Sequence, residues 1–117
     1  MVTLGIFTAV SATFPVMDPT LLSTLEPQSL ESLAHSFGYW KTSSSHLMEY
    51  INANANAAIP TDNPDVSEVS SNMKAYINKM GHSFEVPVNK TTIREFDKVV
   101  ELGKNKIVQE YRNRLRR

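Results

Sequence analysis

No cysteine occurs among the 117 residues. That excludes a disulfide framework, a cysteine-based zinc site, an iron–sulfur cluster and a thiol nucleophile. It fits a reducing, intracellular compartment without requiring one. Glycine is scarce and scattered: Gly5, Gly38, Gly81 and Gly103 cannot together build a phosphate-cradling loop or a dinucleotide fingerprint. No apolar run approaches the roughly 18 residues of a membrane-spanning helix. Basic residues are nearly missing from the first 73 positions, where Lys41 stands alone.

What is present is the composition of one ordinary globular domain, with 41% apolar and 21% charged residues. Twelve bases and twelve acids cancel, yet they are segregated. Residues 1–73 carry a net −6 and residues 74–117 a net +6. The steepest part is the end, where Lys104, Lys106, Arg112, Arg114, Arg116 and Arg117 face Glu110 alone. Such a split suits an acidic or nucleic-acid partner, or attraction between the acidic body and the basic tail of the same or a neighbouring chain. The second explanation is preferred, because only one helix end is strongly basic.

The patterning predicts a mainly α fold: a small domain of four to five helices, an extended N-terminal arm, and at most a short two-stranded β element. Residues 1–16 form the arm and residues 17–117 the helical domain, which ends in a basic helix. In the arm, Val2, Leu4, Ile6, Val10, Phe14 and Val16 occupy even positions, the repeat of a half-buried strand. A secretory signal ending after Val10-Ser11-Ala12 competes with this, but no base precedes the apolar run. Asp18-Pro19 and Asn63-Pro64 read as caps followed by a proline at the first helical position. Leu30, Leu33, Ala34 and Phe37 share one face of a helix over residues 27–37, which Gly38 is expected to stop. A hydroxyl-rich bridge from Thr42 to Ser45 then leads into another helix carrying Leu47, Met48, Ile51, Ala55 and Ala58. Pro60 to Pro64 is a break. Val66, Val69, Met73, Ile77 and Met80 form a helical stripe, and Asp65 with Glu68 has capping-box spacing. Phe84, Val86 and Val88 alternate as a short extended piece, and Pro87 confines it to a sheet edge or loop. Thr92 and Glu95 predict a second capping box, opening a helix whose stripe is Ile93, Phe96, Val100, Ile107, Tyr111 and Leu115. Gly103 interrupts that helix and marks a bend or a close backbone approach.

Catalytic and metal motifs are weak. His46 and Glu49 have the three-residue spacing of carboxylate–histidine metal sites in bundles, but the motif occurs once where such sites need it twice. Ser71 to Lys74 matches the S-x-x-K spacing of penicillin-recognising serine enzymes, yet the companion motifs are missing and Met73 puts both residues on the wet face. Asn89-Lys90-Thr91 is a glycosylation sequon whose competing use is helix capping. No metal, cofactor or catalytic residue is expected.

Two features stand out as partner-binding candidates. Tyr39 and Trp40 lie in an aromatic cluster beside Lys41 and would serve as an anchor, against the alternative that Trp40 is simply core. The basic end has more arginine than the helix dipole explains, and guanidinium groups match phosphates and carboxylates. The expected function is a non-enzymatic structural or adaptor subunit of a larger protein assembly. Its contacts would come from Val2, Leu4 and Ile6 of the arm and from Lys104, Lys106, Arg112, Arg114, Arg116 and Arg117. A protein partner or self-association is expected. The alternative is a small nucleic-acid-binding protein using the arginine-rich end; a membrane surface is the weaker partner, since few apolar residues there are placed to insert.

Overall fold

A computed structural model of the chain describes residues 14–54 and 58–116. Among these residues the chain forms four helices: α1 (Pro19–Thr24), α2 (Pro27–Ala53), α3 (Pro64–Lys79) and α4 (Lys90–Leu115). The starts follow local chemistry. Asp18 Oδ1 accepts from the Thr20 amide at 2.9 Å, and Asn63 Oδ1 from the Asp65 amide at 2.8 Å, each ahead of a proline at the helix start. Both side chains satisfy an amide that has no partner inside the helix. α3 ends on Gly81, whose φ of 88° is left-handed, while the His82 amide reaches back to the Ile77 carbonyl at 3.0 Å.

α2 packs against α3 and α4, and α1 against α4. Inside, α2 contributes Leu30, Leu33, Phe37, Trp40, Ser44 and Leu47, α3 contributes Val69, Met73, Tyr76 and Ile77, and α4 contributes Ile93, Phe96, Val100, Gly103 and Ile107. Phe96 is the hub: its ring lies 4.9 Å from Phe14, 4.9 Å from Trp40, 5.3 Å from Tyr76 and 6.5 Å from Phe37. Tilted and edge-on pairs of this kind add to the gain from burying the rings. Gly103 is a close approach. A Cβ there would stand 2.7 Å from Phe37 Cε2, so the Phe37 ring rests against bare α4 backbone.

Several expectations are corrected. α2 is one helix of 27 residues, not two. Gly38 does not stop it, because the buried positions run from Leu30 to Leu47 in steps of three and four straight across the glycine. Packing of that continuous stripe outweighs the roughly 1 kcal/mol that a mid-helix glycine costs. α2 ends at Ala53, with Asn54 Nδ2 bonded to the Tyr50 carbonyl, so Ala58 falls outside it. No β element forms among the described residues, and residues 84–88 are an irregular connection whose Val86 and Val88 pack on the core. Pro87 lacks the amide a ladder would need. Neither predicted capping box forms as such; α4 opens instead with a reciprocal pair three residues earlier. There Thr92 N donates to Asn89 Oδ1 at 2.9 Å, and Asn89 N donates to Thr92 Oγ1 at 3.1 Å. The sequon asparagine is thus a cap. Residues 1–13 lie outside the described chain, but the residues that follow are fastened to the helices: Phe14 and Met17 are buried, and the Tyr76 hydroxyl donates to the Pro15 carbonyl at 2.6 Å.

Candidate partner-binding surface on the last helix

The basic residues of α4 divide into two groups. Lys106 turns inward and donates to the Met17 carbonyl at 2.8 Å. Arg114 does more: its Nε donates to Glu110 Oε2 at 2.7 Å, and its Nη2 to the Leu22 and Leu25 carbonyls at 3.0 and 2.7 Å. Those carbonyls belong to the last turn of α1 and to its C-cap, and that of Leu22 also accepts from the Leu25 amide at 3.2 Å. Glu110 is itself buried. Two residues expected at a partner surface therefore tie the chain's early segment to its last helix. Lys104, Arg112 and Arg116 remain exposed, with Lys104 Nζ 3.9 Å from Glu101. Arg117, Val2, Leu4 and Ile6 lie outside the described residues.

The aromatic pair is split. Trp40 is fully buried, edge-on to Phe96, and belongs to the core rather than to a surface anchor. Its Nε1 has no hydrogen-bond partner among the described residues. Tyr39, the next residue round the helix, is 64% exposed and borders a shallow groove with His35 and Asn72.

The spacing of the outward face of α4 carries a signal that the charge count alone missed. Arg94, Lys98, Leu102, Asn105, Gln109, Arg112 and Arg116 follow one another in steps of three or four and are all exposed. At 100° per residue they form one stripe opposite the buried face, about 33 Å long at 1.5 Å per residue. The stripe holds four cations and no acid. Glu101, at its border, is 3.8 Å from Lys41 and 3.9 Å from Lys104. Beside the stripe's final third, Val108, Tyr111 and Leu115 are 47%, 40% and 86% exposed. The sequence pattern assigns Tyr111 and Leu115 to the buried stripe. The buried side instead passes through Gly103, Ile107 and Glu110, because Arg114 holds Glu110 against the end of α1.

At the other end of α4, Lys41 bonds to Asp97 across the α2–α4 seam. This hydrogen bond, with the nearby Asp97 and Glu101 charges, raises the Lys41 ammonium above its usual range against a smaller opposing effect of burial. In the core, burial pushes the Tyr76 phenol up to about 12. Ser71 and Lys74 lie on the exposed face of α3, and Lys74 Nζ is 3.4 Å from Glu85. His46 Nδ1 is 3.9 Å from Asp65, and among the described residues no group of three or more acidic, histidine or cysteine side chains is placed to hold a metal. No helix among the described residues is long and apolar enough to cross a membrane.

Comparison with protein-family models, with curated proteins and with solved structures finds no match to this chain.

Proposed function

We propose that this protein is a non-enzymatic structural or adaptor subunit of a protein assembly, docking through the outward face of α4. One observation carries the reading: exposed Val108, Tyr111 and Leu115 lie side by side on a face flanked by Lys104, Arg112 and Arg116. An apolar strip with a charged rim is the arrangement of a protein interface. The acidic first half of the chain supplies a complementary surface on a second copy. Light scattering on the size-exclusion peak tests this. A mass that is a multiple of 13.1 kDa, returning to one copy in Tyr111→Ser/Leu115→Ser, is expected. A single copy at about 100 μM protein would reject self-assembly, since a dimer with a Kd of about 10 μM would be mostly assembled there.

A second reading, nucleic-acid binding, is favoured by the acid-free stripe of Arg94, Lys98, Arg112 and Arg116. Each phosphate contact contributes about −0.9 to the slope of log affinity against log salt on duplex DNA. Four contacts give a slope of about −3.6. Replacing the four by Gln should flatten it; a slope unchanged by that substitution rejects this reading.

A further inference from the structure

Between α2 and the first half of α4, a groove of about 410 Å³ opens to solvent. That is within the size range of small-molecule sites. Met48 and Ile93 give it an apolar floor, and Ser44 and Ser45 edge it from α2. Lys41 from α2 and Asp97 from α4 bond to each other across it, so their charges cancel within the groove. Arg94 and Lys98 line the α4 side, and neither has a carboxylate within 4.0 Å among the described residues. Like charges four apart on a helix repel each other, and a bound anion removes that repulsion. The Ser45 hydroxyl is exposed beside them.

We propose that this groove binds a phosphate monoester carried on a short apolar body. The phosphate sits between Arg94 and Lys98 with Ser45 Oγ as a further donor, and the apolar body lies on Met48 and Ile93. A phosphate monoester carries close to two negative charges at neutral pH, matching the two unpaired cations, and guanidinium offers it paired N–H donors. Asp97 is the one acidic side chain lining the groove; it stands on α4 beside Lys98 and one turn from Arg94, and its bond to Lys41 offsets its repulsion of the phosphate. This site is separate from the Val108–Leu115 strip and stands whether or not the chain assembles.

The sole tryptophan, Trp40, lies one helical turn before Ser44 and serves as a reporter. Titration of the full chain with hexyl phosphate is expected to change Trp40 fluorescence saturably and to shift the amide resonances of Ser45, Arg94 and Lys98. Arg94→Gln/Lys98→Gln, at exposed positions, should keep its helical circular dichroism and weaken binding by at least about tenfold. Inorganic phosphate and hexanol, each offering half of the ligand, should each bind at least about tenfold more weakly. No saturable signal, equal binding by the double variant, or equal binding of inorganic phosphate or of hexanol would each overturn the proposal. A parallel arm with phosphatidylcholine vesicles containing phosphatidate identifies the source. Retention by the wild type and release by the double variant mark a lipid headgroup; retention of hexyl phosphate alone marks a soluble ester.

Discussion

The two sides of α4 carry the same kind of residue to opposite ends. On the inward side, Lys106 and Arg114 reach main-chain carbonyls of Met17, Leu22 and Leu25. On the outward side, Arg112 and Arg116, two residues from Arg114 in either direction, stand in solvent. The difference comes from helix geometry alone: two residues are 200° round the axis. A run of arginines is thus not one feature but two interleaved ones, half structural and half available to a partner.

The comparison breaks first at Arg114. Arg114→Met removes three hydrogen bonds from a charged donor, taking the guanidinium away from buried Glu110 and from the Leu22 and Leu25 carbonyls. A loss of about 2–4 kcal/mol is expected in urea unfolding, discounted from a fully buried pair because Arg114 retains some solvent contact. A loss under about 0.5 kcal/mol would show that the tether adds nothing.

Alkaline pH probes the inward side next, at the other fastening of the early segment, where Tyr76 meets Pro15. Folding raises the Tyr76 phenol from its ordinary 10 to about 12 by burial. The neutral form is favoured in the folded state, so the stabilisation is whole below pH 10 and is lost as pH rises through 12. Two pH units correspond to about 2.7 kcal/mol at the limit. Tyr76→Phe should lose the hydrogen bond at every pH, at a cost of about 1 kcal/mol, and show a flatter stability profile between pH 10 and 12. Parallel profiles for the wild type and the Tyr76→Phe variant would contradict the burial of the phenol.

The smallest effect is expected outside. Arg112→Gln/Arg116→Gln should leave stability within about 0.5 kcal/mol of wild type, since exposed charges contribute little. A loss comparable to that of Arg114→Met would erase the distinction between the two sides of the helix.

Much of the architecture was legible in the sequence. Asp18-Pro19 and Asn63-Pro64 announced their helices because a cap and a proline act locally, through one amide and one fixed dihedral. Gly103 as a close approach was also readable, since only a residue without Cβ admits the Phe37 ring. Gly38 misled for the complementary reason. Its local preference is to end a helix, whereas the stripe of Leu33, Phe37, Trp40 and Ser44 across it buries far more than a cap would satisfy. The steps of three and four run on unbroken once Ser44 is counted as an inward position. On the candidate surface, the charge count pointed to α4, where Arg112 and Arg116 are exposed. It could not separate them from Lys106 and Arg114, because the carbonyls those two serve lie about ninety residues earlier in the chain. The stripe through Arg94 and Lys98 was legible as a spacing, but the seam that makes a groove beside it depends on where α2 lies.

The fastening of Met17, Leu22 and Leu25 by Lys106 and Arg114 also sets a timetable for the growing chain. The carbonyls are made early and their donors late, so during synthesis the early segment waits, with Phe14 and Met17 unsheltered, until residues 96–114 have emerged. Closing loops of this length is slow compared with forming the helices between them. The last turns of α4 are therefore the latch on the early segment, while a nascent chain stalled before Phe96 would leave Phe14 without the ring it packs against.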